Sequence, residues 1–171
     1  MIGLECVSLF QEYYSVRIRS LLTAAVVAAG VAAVAQPSYA AGPAVQITKI
    51  YYDSPGSPDY GSNKSLNGEY VQIKNMTKKA VSLKGWTIRD DTRRPDHVYT
   101  FGAFTLGAGK TVTLRTGRGK NTSTTLYWGR SGGTLAYIWN QTKDKAYLRN
   151  SSGKLVDTCA YNSSRADYKI C

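Results

Sequence analysis

The chain has 171 residues, with 22 basic against 11 acidic side chains (net charge +11), and 43% of its residues are hydrophobic. This balance excludes a disordered, low-hydrophobicity chain and supplies enough apolar material for one two-layer core. A single histidine and three cysteines are too few for a structural zinc site once the N-terminal Cys6 is set aside.

Residues 1–40 read as a signal peptide. Arg17 and Arg19 precede an apolar run from Leu21 to Ala35, and Ser38-Tyr39-Ala40 has the small-x-small pattern that signal peptidase reads. The run is about 15 residues, short of the ~20 needed to span a bilayer. Residues 1–15 sit upstream of the basic stretch, which suggests a start assigned too early, with Val16 near the true beginning. The folded domain is expected over residues 41–171, keeping 20 basic and 9 acidic residues. No membrane span is expected there, so the chain is expected to be secreted. Cys159 and Cys171 remain as an even pair in a chain bound for an oxidising space, and a disulfide between them is expected.

From Val45 onward the texture is all-β, with short runs of Val, Ile, Thr and Tyr separated by Gly, Asn, Ser and Pro. Strands are expected near Val45–Tyr52, Glu69–Asn75, Thr87–Asp90, Val98–Phe101, Thr111–Thr116, Thr134–Trp139, Lys145–Arg149 and Leu155–Tyr161. No window after residue 40 has a helical period. Ser54 to Asn63 reads as a long loop, Thr116 to Asn121 as a basic glycine-rich loop, Gly129 to Gly133 as another, and Asn150-Ser151-Ser152-Gly153 as a hairpin turn. Seven to eight short antiparallel strands suggest a sandwich. In Glu69–Asn75, Val71 and Ile73 share one face while Gln72 and Lys74 share the other. Gly85 allows a tight turn through which Trp86 is expected to enter the core, ahead of Ile88.

Four pieces in register resemble the lamin tail domain family. Glu69-Tyr70-Val71-Gln72-Ile73-Lys74-Asn75 is similar to its E-[YF]-[VI]-x-[IL]-x-N strand. Leu83-Lys84-Gly85-Trp86-Thr87-Ile88-Arg89-Asp90 is similar to its L-x-G-W-x-[IL]-x-D segment. Phe104-Thr105-Leu106-Gly107-Ala108-Gly109 resembles its F-x-L-x-P-G turn, with Ala108 in place of proline. Asp144 to Arg149 and Gly153 to Asp157 resemble its closing hairpin. The likeness spans about Val45 to Tyr161 and implies an immunoglobulin-like β-sandwich without catalysis. The family's nuclear members contact DNA and chromatin, and its bacterial members accompany secreted or surface enzymes. This chain has neither a coiled-coil rod nor an attached enzyme.

Several chemical-looking motifs dissolve on inspection. Gly129-Arg130-Ser131-Gly132-Gly133 matches G-x-S-x-G, but no helix follows and His97 precedes the serine, the wrong order for a hydrolase triad. Gly109-Lys110-Thr111 ends like a phosphate loop, but Phe104 stands where its first glycine belongs. Asp90, Asp91, Asp96 and His97 could hold a cation or form an acid-base pair, although interleaved Arg89, Arg93 and Arg94 make a self-neutralising loop the simpler account. Asp53, Asp59 and Asn63 fit no EF-hand spacing. No cofactor is expected.

Basic residues gather in three stretches: Lys74, Lys78, Lys79 and Lys84; Arg89, Arg93 and Arg94; and Arg115, Arg118 and Lys120. Tyr127, Trp128, Tyr137 and Trp139 lie among or beyond them. Together they suggest non-specific contact with an extracellular polyanion, whether nucleic acid, an anionic cell-envelope polymer or an anionic lipid surface. A solvated positive exterior with core aromatics is the plainer alternative. So is a structural role joined to another secreted protein.

Overall fold

The structure, a computed structural model, describes residues 42–55 and 60–171. The expected signal peptide, Cys6 and Asp59 lie outside the described residues. Residues Ala40–Cys171 form one compact unit.

Two sheets face each other across an apolar interior. The first has five strands: β1 (Val45–Tyr51), β2 (Tyr70–Asn75), β7 (Thr111–Arg115), β8 (Thr125–Tyr127) and β11 (Tyr168–Ile170), in the order β11-β1-β2-β7-β8. The second has β4 (Thr87–Arg89), β5 (Val98–Thr100), β9 (Lys143–Arg149) and β10 (Leu155–Asn162), in the order β10-β9-β4-β5. A two-residue ribbon, β3 (Val81–Ser82) with β6 (Thr105–Leu106), closes one end. All pairings are antiparallel except β7 with β8. This is a mostly β, immunoglobulin-like sandwich.

Strict alternation places Val71 and Ile73 inward from β2, opposite Val112 and Leu114 of β7, all buried. In β1 the buried residues are Val45, Ile47 and then Ile50, a spacing that alternation alone forbids. A bulge between Ile47 and Lys49 resolves it by resetting the inward face. Ile88, Ala146, Leu148, Cys159 and Tyr161 face them from the second sheet, and Phe101, Leu83, Leu106, Ile138 and Trp139 fill the ends.

Trp86 departs from its expected place. It is half-buried against the core, whereas Leu83 three residues earlier is fully enclosed. The turn explains the exchange: Trp86 N–H donates to Leu83 O, and Gly85, at φ +77°, donates to Phe101 O. That geometry directs Leu83 inward and lays the indole along the flank.

The expected strand Thr134–Trp139 does not form. Gly133–Ala136 is a 3₁₀ turn, and beyond Tyr137 the N–H groups of Ile138 and Trp139 donate to the Glu69 carboxylate at 2.8 and 3.1 Å. A buried side chain thus replaces the neighbouring strand. A one-turn helix, α1 (Asn63–Leu66), interrupts the loop after β1, capped by Ser62. Strands β8 and β11 fall in stretches that read as loop and tail. β11 is fastened by the Cys159–Cys171 disulfide, and its neighbour Cys171 donates its N–H to Thr48 O.

Candidate functional site: a charge-divided sandwich

Register assigns the loops to two opposite ends. Tyr70 pairs with Arg115 at the start of β2, and Lys74 pairs with Thr111 near its finish. Segments 76–80, 83–86, 101–104, 107–110 and 150–154 therefore share one end. Segments 52–55, 60–69, 90–97, 128–142 and 163–167 share the other, together with the turn at 116–119.

The first end is built by Asn75. Its side-chain amide donates to the carbonyls of Lys79, Leu106 and Gly107 at 2.7, 3.0 and 3.0 Å, and its oxygen accepts from Thr77 N and Oγ1. The 76–80 and 107–110 turns are thereby bound to each other. Gly85 lies against Ser151, which brings the 150–154 hairpin turn alongside. The result gathers Lys74, Lys78, Lys79 and Lys84 with Lys110 and Lys154. None of the five segments contains Asp or Glu. Among the described residues, no ion pair involves any of these six lysines. Lys110 and Lys154 escaped sequence reading because each stands alone in its own glycine turn.

The other six basic residues singled out from sequence go elsewhere. Arg89 stacks 4.2 Å over the Tyr147 ring and donates to the carbonyls of Asp90 and Thr92. Arg115 donates to Asn67 O and lies 5.5 Å from the Tyr70 ring centre. Arg94 pairs with Asp96 at 2.9 Å, and Arg130 reaches the same carboxylate at 2.8 Å. These two guanidiniums hold the Asp96 carboxyl well below the usual carboxylate range. Arg118 donates to Ser131 Oγ, and Arg93 and Lys120 are exposed. The ten residues do not form one surface.

The carboxylates explain the outward charge. Glu69, Asp90 and Asp144 are buried. Asp144 accepts from the backbone of Asp91, Asn140 and Lys145, and burial pushes its pKa up. Glu69 accepts from Thr116 Oγ1, Ile138 N and Trp139 N, while burial, acting against those three donors, pushes it up to about 8. Asp157 accepts from Ile47 N and Thr158 N. Much of the acid therefore serves as internal backbone acceptor, and the cations are left outside.

His97 is buried with Nδ1 2.6 Å from Asp90 Oδ2, and Asp90 also caps Thr92. Ser131 is engaged by Arg118, so the G-x-S-x-G serine and the histidine are each bound to a different partner. Among the described residues no three His, Cys, Asp or Glu side chains gather as a metal site. Asn63 Oδ1 accepts from Arg118 N, and Asp53 accepts from Gln141. The aromatics expected as stacking groups are largely occupied too. Trp139 is buried with Trp128 against it edge-on, Tyr137 hydroxyl lies 2.6 Å from Ser65 Oγ, and Gly119 lies on the Tyr127 ring.

The Lamin Tail Domain profile matches residues 38–163. The chain belongs to the lamin tail domain family. No curated protein matches it. Lamin tail domains are in general non-catalytic. The disulfide of this lamin tail domain fits an oxidising compartment, and no helix among its described residues is long and apolar enough to cross a membrane.

Proposed function

We propose that this lamin tail domain is a secreted, non-catalytic binding module that takes an extracellular polyanion, DNA or a cell-envelope polymer, on its lysine end. The observation that carries the reading is the set of six lysines at one end, Lys74 near the finish of β2 and Lys78, Lys79, Lys84, Lys110 and Lys154 on turns that contain no carboxylate. Ammonium groups on flexible stems make undirected phosphate contacts, so recognition follows charge density rather than sequence.

Binding to duplex DNA is expected to be weak, independent of sequence and steeply salt-dependent. The slope of log K against log[salt] is about −5 at most if all six lysines engage. A mobility-shift titration at low salt tests this, with Lys78→Glu/Lys79→Glu/Lys84→Glu reducing affinity at least tenfold. No shift at low salt removes DNA as the ligand, and failure to bind either DNA or an acidic wall polymer at low salt removes the polyanion reading altogether.

A second reading, a protein–protein role in the envelope, is favoured by the β11 edge, where Tyr168 and Ile170 are exposed. A partner captured equally well at high salt would select it.

A further inference from the structure

Among the described residues, the two large hydrophobic side chains most open to solvent lie at the loop end, opposite the lysines. Tyr60 is 74% exposed and Leu135 81%. The backbone beside each meets that beside the other. Gly61 packs on Gly133 so tightly that a Cβ on Gly61 would fall 2.0 Å from the Gly133 carbonyl carbon. Gly61 N–H also donates to the Tyr137 hydroxyl at 3.3 Å.

Arg130 fastens the turn from its other side. Its Nε donates to Ala136 O and its Nη2 to Leu135 O, both at 3.2 Å, while Nη1 holds Asp96. Beyond the turn, Ile138 and Trp139 are fixed by Glu69. Leu135 is therefore held out on a backbone anchored at both flanks. The core gains nothing from that exposure. Lys64 on α1 and Arg93, Arg118 and Lys120 on loops are exposed, and the Asp96 carboxylate beside Arg130 is neutralised between two guanidiniums.

We infer that this end docks on an anionic lipid surface. Tyr60 and Leu135 enter the boundary between headgroups and acyl chains, and the exposed Lys64, Arg93 and Arg118 lie against the headgroups. A tyrosine suits that boundary, with its ring in the apolar layer and its hydroxyl in water. At this end the exposed Lys64, Arg93, Arg94, Arg118 and Arg165 outnumber the exposed Asp91, Asp96 and Asp167, so a small apolar wedge in a net positive setting matches an anionic bilayer in both charge and polarity. A nucleic acid fits less well, because Leu135 offers no ring to stack on a base. This surface is separate from the lysine end and goes beyond the polyanion reading.

The compact unit Ala40–Cys171 contains the entire core and the disulfide, so it is the form to assay, free of the apolar run before it. It is expected to co-sediment with phosphatidylglycerol vesicles and not with phosphatidylcholine vesicles. Leu135→Ser and Tyr60→Ser each weaken that binding about tenfold without moving the melting midpoint. Leu155→Ser, an exposed apolar residue at the opposite end, leaves it unchanged. No binding to anionic vesicles, or binding indifferent to Leu135→Ser, overturns the inference. So does oligonucleotide binding that Leu135→Ser weakens. Failure of the polyanion reading is scored separately, by the lysine variants on DNA and on the wall polymer.

Discussion

Glu69 makes the stability of this domain depend on pH in a direction opposite to that of an ordinary carboxylate. Its carboxyl is fully buried and held up to about 8, against 4.5 for the free side chain. Below 4.5 folded and unfolded chains both carry the proton. Between 4.5 and about 8 the folded chain keeps it while the unfolded chain releases it, so stability falls as pH rises. The slope approaches about 1.4 kcal/mol per unit, or about 5 kcal/mol over the window. Glu69→Gln removes the titration. The amide can donate to Thr116 Oγ1 and accept one of the two backbone N–H groups, leaving either Ile138 or Trp139 without an acceptor. That costs about 1–3 kcal/mol at every pH. Wild type is therefore the more stable protein near pH 4.5, and the variant overtakes it by about pH 8. Urea denaturation of both proteins from pH 4 to 9, with the disulfide intact, measures the difference and cancels the other acids. A difference that stays flat or grows with pH refutes the reasoning. It would mean that the three donors outweigh burial and that Glu69 is ionised in the fold.

Three further substitutions probe the scaffold. Leu83→Ala is expected to cost about 2–5 kcal/mol and Trp86→Ala clearly less, because leucine is enclosed and the indole lies on the flank; the reverse order in chemical denaturation would restore Trp86 to the core. Asn75→Ala strips three carbonyls of their donor and is expected to cost about 3 kcal/mol and raise hydrogen exchange at Thr77 and Lys79; an unchanged melting midpoint would deny it the clamping role. Cys171→Ser opens a loop with a sequence separation of 12 and is expected to cost about 3 kcal/mol while fraying β11; retained protection of the Tyr168–Ile170 amides would show that the strand stands without the bond.

Much of the fold was legible because its signals are local. The alternation in β2, the Asn150–Gly153 turn and the even cysteine pair each declare themselves within a few residues. What stayed hidden depends on distant partners. Thr134–Trp139 has the composition of a strand, and only the arrival of the Glu69 carboxylate, from the residue just before β2, withdraws Ile138 and Trp139 from any ladder. β8 has three residues, too few for a pattern, and exists because β7 offers a parallel edge. Trp86 was misplaced because indole size argues for burial, while the Gly85 turn decides which side chain faces inward.

Placement on the surface was less legible for a different reason. Clusters along the chain count neighbours in sequence, whereas a sandwich delivers successive loops to alternating ends. Lys84 and Arg89 are five residues apart, yet the first belongs to the lysine end and the second lies on an outer sheet face near the other end. Lys110 and Lys154 are far apart in sequence and share one end. The same alternation sorts the carboxylates, since the buried acceptors Glu69, Asp90 and Asp144 all serve the loop end. Backbone irregularity there demands acceptors, and acids supply them, which leaves the regular turns of the opposite end free to carry lysine alone. The charge division is thus a consequence of where the fold needs carboxylates. The two proposals divide along the same line: undirected phosphate contact is proposed for one end, and an apolar wedge among basic side chains for the other.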